Sequence, residues 1–307
     1  MHEKLQPNAL LSDLGPFAQA MINYGFFRKA DNWKFPDQNE TEKEKEKRPL
    51  LKWQHKDLDL EVFHSLADYL WNTLASQPDL AKLFEAQLAN ISQRCLQSPI
   101  FTAMQSPSIR LTQRHSGTLP FDHTMNVLKE LDLSGIASFE DKFLIILAAI
   151  YHDAAKCMAV GLGTKDDIKL VMAKFGAEES CPLVDSYRNH PSLSAVIFLE
   201  LIRMWQAQPE ATSAAFCQFL AEPANQESVV FMIRYHHFHQ AYSEGRMTAH
   251  EFVRVVMESV KDNDQLFEMF EVLCRADLLS VANEQNSEWL KDMEKIRGEI
   301  LIGWKTR

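Results

Sequence analysis

The chain has 307 residues, 46% of them apolar, and a net charge of −10. That is enough apolar mass for a real core. The negative balance repels phosphate backbones, which excludes extended nucleic-acid binding as the main role.

Five cysteines (Cys95, Cys157, Cys181, Cys217 and Cys274) are scattered without a C-x-x-C pair. Neither a disulfide framework nor a thiolate zinc site is expected from them. The N-terminal stretch "MHEKLQPNALLSD" lacks a secretory pattern. No apolar run approaches the ~20 residues needed to span a bilayer. These features predict a soluble cytoplasmic protein with no membrane partner.

In chain order, the first notable segment is "YGFFRKADNWKF" (24–35), whose aromatic residues are expected to pack against the same chain. The mixed-charge run "NETEKEKEKRP" (39–49) predicts a solvated loop. Helical spacing of apolar residues follows in 61–76 and 79–96. The stretch 97–120 holds three prolines and reads as a link to the rest of the chain. Further helical periodicity marks 195–205 and 250–260. The expected fold is all-α, with an N-terminal helical region (1–109), a main helical domain (110–285) and a C-terminal helix (286–307) packing on it.

Polar residues placed in apolar stripes are the candidates for chemistry. His123 in "LPFDHTMNVLKEL" shares a stripe with Val127 and Leu131, in a helix opened by Pro120. The run "FLIILAAIY" (143–151) is apolar on every side and delivers His152 and Asp153, which would point about 100° apart on a helix. An unpartnered buried carboxylate is costly, so Asp153 needs a cation or several donors. Lys156 follows three residues later. His190 precedes Pro191, a residue suited to the first helical turn. In "VVFMIRYHHFHQAY" (229–242), either His236 or His237 could face inward, and periodicity does not decide between them; His239 is expected to be exposed. Asp277 closes a stripe of Leu266, Phe270 and Leu273 that continues to Val281. Aspartate is a poor helix-interior residue and is rarely buried alone. Neutral imidazole and carboxylate together suit divalent transition metals.

The ordered set formed by His123, the His152–Asp153 doublet, His190, His236 or His237, and Asp277 resembles the HD superfamily of metal-dependent phosphohydrolases across residues 110–285. Lys156 matches the lysine commonly found three residues after that family's aspartate. The resemblance implies an HD-domain-like helical bundle. It implies a first metal at His123, His152, Asp153 and Asp277, and support for a second from His190 and His236 or His237. One or two divalent ions (Fe, Mn, Zn, Ni or Co, with Mg also allowed) are expected as cofactors. Asp153 would contact both metal and nucleophile, Lys156 would neutralise phosphoryl charge, and Arg188 and Arg234 would bind a substrate phosphate. The expected substrate is a small, nucleotide-like phosphoester of undetermined identity. "FHQAYSEGR" after His237 departs from the Gly-Tyr-Pro signature of the cyclic-di-GMP phosphodiesterase branch. The segment 157–189, with Gly161 and Gly163, is expected to form a loop and short helix over the site. Three other readings fit the same residues: a non-catalytic signalling or scaffold protein, a di-iron oxygenase on an HD-like scaffold, and a helical interaction protein whose histidines only fill its core. The region 1–100 could serve homo-oligomer formation or pack on the bundle.

Overall fold

A computed structural model describes residues 51–52, 59–105, 118–159, 190–208, 214–237, 264–281 and, apart from 292 and 296, 290–298. The charged run 39–49, the aromatic segment 24–35, the periodic stretch 250–260, the glycines at 161 and 163, Arg188 and His239 lie outside these residues.

Helix α1 runs Leu60–Ser76. Asp59 caps it by accepting a hydrogen bond from the Val62 amide at 3.0 Å. Its inward stripe is Val62, Phe63, Leu66, Ala67, Leu70 and Leu74, all buried. Helix α2 (Glu85–Cys95) begins where Gln87 Oε1 accepts from the Phe84 amide at 2.7 Å. Within the proline-rich stretch expected to be a link, Pro99–Met104 forms a six-residue helix, α3. The reason is burial: Ile100, Phe101 and Met104 sit at helical spacing and are each at most 2% exposed. Pro99 takes the first-turn position, where its missing amide proton costs nothing.

Helix α4 is Pro120–Glu130 and α5 is Phe139–Tyr151. Ser138 caps α5 by accepting from the Asp141 amide at 3.2 Å. From Lys142 to Tyr151 every residue of α5 is buried. Lys142 is accommodated because its ammonium donates to the Pro78 carbonyl at 2.5 Å. A 3-10 turn, Ala154–Cys157, follows. Helix α6 is His190–Gln206, α7 Ala215–Ala221, α8 Pro223–Tyr235 and α9 Asp264–Leu279.

The all-α expectation holds across the described residues, apart from a two-residue parallel pairing of Leu51–Lys52 with Met158–Ala159. Helix α5 is the central strut, packed by α1, α4, α8 and α9, with α6 also in contact. Each fully buried Leu or Ile on it contributes about 1.5–3 kcal/mol. At its C-terminal end the Tyr151 ring sits among Phe63, Phe101 and Phe198, with centroids 6.3, 5.5 and 5.6 Å away. The helices of 60–104 and those of 120–279 therefore share one hydrophobic cluster. Leu290 and Met293 add to it from the C-terminal side. No described helix is long and apolar enough to cross a membrane.

Candidate metal centre

The doublet His152–Asp153 does not lie within a helix, as its sequence context suggests; α5 ends at Tyr151 and His152 is the capping residue. The last carbonyls of a helix lack intrahelical partners. His152 meets that need by setting Nδ1 2.7 Å from the Ala149 carbonyl. A carbonyl only accepts, so Nδ1 carries the proton in this contact. Helix α8 ends the same way. His236 is its capping residue, with Nδ1 2.6 Å from the Ile233 carbonyl. Both rings thereby turn Nε2 inward. A ligating histidine is usually held in this manner, with its other ring N–H on a backbone carbonyl.

What they turn toward is Asp153, which is fully buried. Its Oδ2 lies 2.6 Å from the Lys156 ammonium, 3.4 Å from His152 Nε2 and 3.5 Å from His123 Nε2. Its Oδ1 lies 3.1 Å from His190 Nε2 and 3.8 Å from His236 Nε2. Asp277 enters from α9, with Oδ1 2.9 Å from His123 Nε2 and 3.9 Å from His152 Nε2. His152 Nε2, His236 Nε2 and both Asp153 oxygens are buried yet make no hydrogen bond of good geometry.

The backbone after Asp153 is fixed from two sides. The Lys156 amide donates to the Asp153 carbonyl at 2.9 Å, closing the 3-10 turn. The Ala155 amide donates to Ser194 Oγ at 3.0 Å, which ties the turn to α6. His190 is the first residue of α6, with Pro191 behind it, as the sequence predicts.

Electrostatics follow from this packing. Burial pushes the Asp153 carboxyl up, but His152, Lys156 and His190 outweigh it and hold the group well below the usual carboxylate range. Asp277 behaves alike: burial raises it, and His123, with His152 and His236, more than reverses the effect. Burial works against charge on His152, yet the Asp153 carboxylate leaves its affinity for a proton raised. His236 and His237 are pushed well below the ordinary histidine value by desolvation and by neighbouring histidines. The centre thus sets two ionised carboxylates beside the neutral imidazoles of His236 and His237, and it attracts positive charge.

Among the described residues two groups could each hold a metal ion: His123, His152 and Asp153 in one, and His190, His236 and His237 in the other. Within each group the ligand atoms lie within 4.8 Å of one another. Nitrogen and carboxylate oxygen donors of this kind suit Zn²⁺, Fe, Mn²⁺ and related ions. Asp153 borders both groups through its two oxygens. His237 is only partly buried and sits at the edge, its ring centroid 4.7 Å from that of His190. The choice between His236 and His237 left open by periodicity therefore divides: His236 faces Asp153 and His237 flanks His190. Arg234 lies on the last turn of α8 with its guanidinium 5.3 Å over the Tyr235 ring.

Sequence reasoning missed three supporting residues. Ser194 anchors the turn after Asp153. The Cys274 thiol donates to the His236 carbonyl at 3.5 Å. Ser280 Oγ contacts both the Asp277 carbonyl and His123 Nδ1. A signal existed for two of them: Cys274 and Ser280 stand three residues before and after Asp277, on its own helical face. A separate polar groove along α1, lined by His64, Asp68, Tyr69, Thr73 and Arg94, contains none of the centre's residues. Compared with protein-family models, curated proteins and solved structures, the chain matches none.

Proposed function

We propose that this chain is an HD-type metal-dependent phosphohydrolase, cleaving a nucleotide-like or other small phosphoester in the cytoplasm. The observation that carries the reading is the meeting of His123, His152, Asp153 and Asp277 in one buried cluster. These four would hold the first divalent ion, and His190, His236 and His237 a second. When bound, such ions supply a water that loses a proton near neutral pH and a counter-charge for phosphoryl oxygens.

The protein's own groups account for the rest. Asp153 orients the reacting water through whichever oxygen is not committed to an ion. The Lys156 ammonium, 2.6 Å from Asp153, is positioned to neutralise charge growing on the phosphoryl group. The apolar wall formed by α5 keeps bulk water away and so strengthens each of these interactions. Arg234 and Arg188 are the cations proposed to receive a substrate phosphate.

The test uses purified full-length chain with Mn²⁺ or Zn²⁺ and two chromogenic probes, p-nitrophenyl phosphate and bis(p-nitrophenyl) phosphate. Metal uptake and hydrolysis, both lost in His152→Ala, are expected. Uptake of metal without hydrolysis, but with oxygen consumption in the Fe²⁺-loaded protein, would replace the reading with the oxygenase one. Wild type that binds no metal would end both.

A further inference from the structure

We propose that Ser280 is a positioning residue, locking the His123 imidazole with its proton on Nδ1 so that Nε2 is the atom offered to the centre. The proposal rests on the metal-centre reading for its purpose but on hydrogen-bond geometry for its content. Ser280 has one hydroxyl proton and donates it to the Asp277 carbonyl at 2.6 Å. Only lone pairs then remain on Oγ. His123 Nδ1, 3.1 Å away, must therefore be the donor in that contact.

This makes His123 the third member of a pattern. His152 and His236 fix their Nδ1 protons on backbone carbonyls at the ends of their own helices. His123 lies near the start of α4, so the carbonyls at the C-terminal end of its own helix are remote from its ring. It borrows an acceptor from Ser280, the residue just after α9, the helix that also presents Asp277. The end of α9 and the residue after it thus deliver both a carboxylate and the group that aims the histidine beside it.

The experiment combines nitrogen NMR of ¹⁵N-histidine-labelled full-length protein at about pH 8 with Zn²⁺ titration, for wild type, Ser280→Ala and Ser280→Thr. Thermal unfolding of each variant in the metal-free state accompanies both. The expected results are a protonated, slowly exchanging Nδ1 on His123 in wild type and in Ser280→Thr. In Ser280→Ala that signal should be lost or shared with the Nε2-protonated form. Zn²⁺ affinity should fall about tenfold or more in Ser280→Ala, the usual effect of removing an outer-shell partner, and recover in Ser280→Thr. A merely structural role would lower the unfolding temperature without moving the His123 signals. An unprotonated Nδ1 in wild type, or identical His123 signals in Ser280→Ala, would overturn the proposal. If wild type takes up no Zn²⁺, the phosphohydrolase reading falls, while the His123 signals still decide the role of Ser280.

Discussion

His123 and Asp277 meet at 2.9 Å, Nε2 against Oδ1, although one stands in the first turn of α4 and the other near the end of α9. The contact is nearly water-free, with Asp277 5% and His123 1% exposed. Asp277→Asn keeps the shape and removes the charge. It should leave the metal-free fold intact and weaken Zn²⁺ binding by at least about tenfold, measured by calorimetry. Unchanged affinity would remove Asp277 from the ligand set.

An ion bound only by the native state adds stability. At a concentration one hundred times its dissociation constant the gain is about 2.7 kcal/mol. For a chain of 307 residues that corresponds to roughly 4 °C in Tm. Chelation of the metal-loaded protein should therefore lower Tm by that order. His152→Ala should show no response to chelator, and a chelator response equal to wild type would exclude His152 as a ligand.

Lys156 separates binding from turnover. Lys156→Met keeps the stem and removes the ammonium now 2.6 Å from Asp153. Zn²⁺ affinity should be unchanged or higher, because a competing positive charge is gone. Hydrolysis should fall about a hundredfold, the usual loss for one electrostatic donor at a phosphoryl or oxyanion site. A parallel loss of metal would make Lys156 a structural partner of Asp153 only.

The central strut sets the largest stability effects. Leu147→Ala, at a fully buried position on α5, should cost about 2–5 kcal/mol in denaturant unfolding. Phe84→Ala, where the ring is 63% exposed, should stay within about 0.5 kcal/mol. Reversal of that order would mean α5 is not the core.

Asp141 provides a pH signature remote from the centre. Desolvation raises its carboxyl above the ordinary value, even though it accepts a hydrogen bond from Gln265 Nε2. A raised folded-state value means the native state holds the proton more tightly. Stability is then lost as pH rises from the ordinary aspartate range through the raised one. Asp141→Asn should abolish that decline and be more stable than wild type above the window, by an amount that vanishes in acid. Equal pH profiles from chemical denaturation would refute this.

Much of the site was legible because burial and polarity conflict visibly in a linear chain. The stripe Leu266–Phe270–Leu273–Asp277 placed a carboxylate at a core step, and the structure buries all four. The nine-residue apolar run before His152 announced a helix with no solvent face, which α5 is. Other features depend on where helices stop, which periodicity cannot define. His152 and His236 work as caps because α5 and α8 end one residue earlier. Whether His236 or His237 faces Asp153 is decided by that ending. Ser280 and Cys274 act through carbonyls and a ring nitrogen of their partners, and only their three-residue spacing from Asp277 marks them in the sequence.

The burial of α5 on every side also sets how the molecule can breathe. Surface helices release amide protons to solvent through small local openings, but a strut wedged between α1, α4, α8 and α9 has no such route. Deuterium should enter the 143–150 backbone only when the whole domain comes apart. The exchange rate of that one segment would then report global unfolding directly, and any ion that slows it must be bound by the intact native assembly.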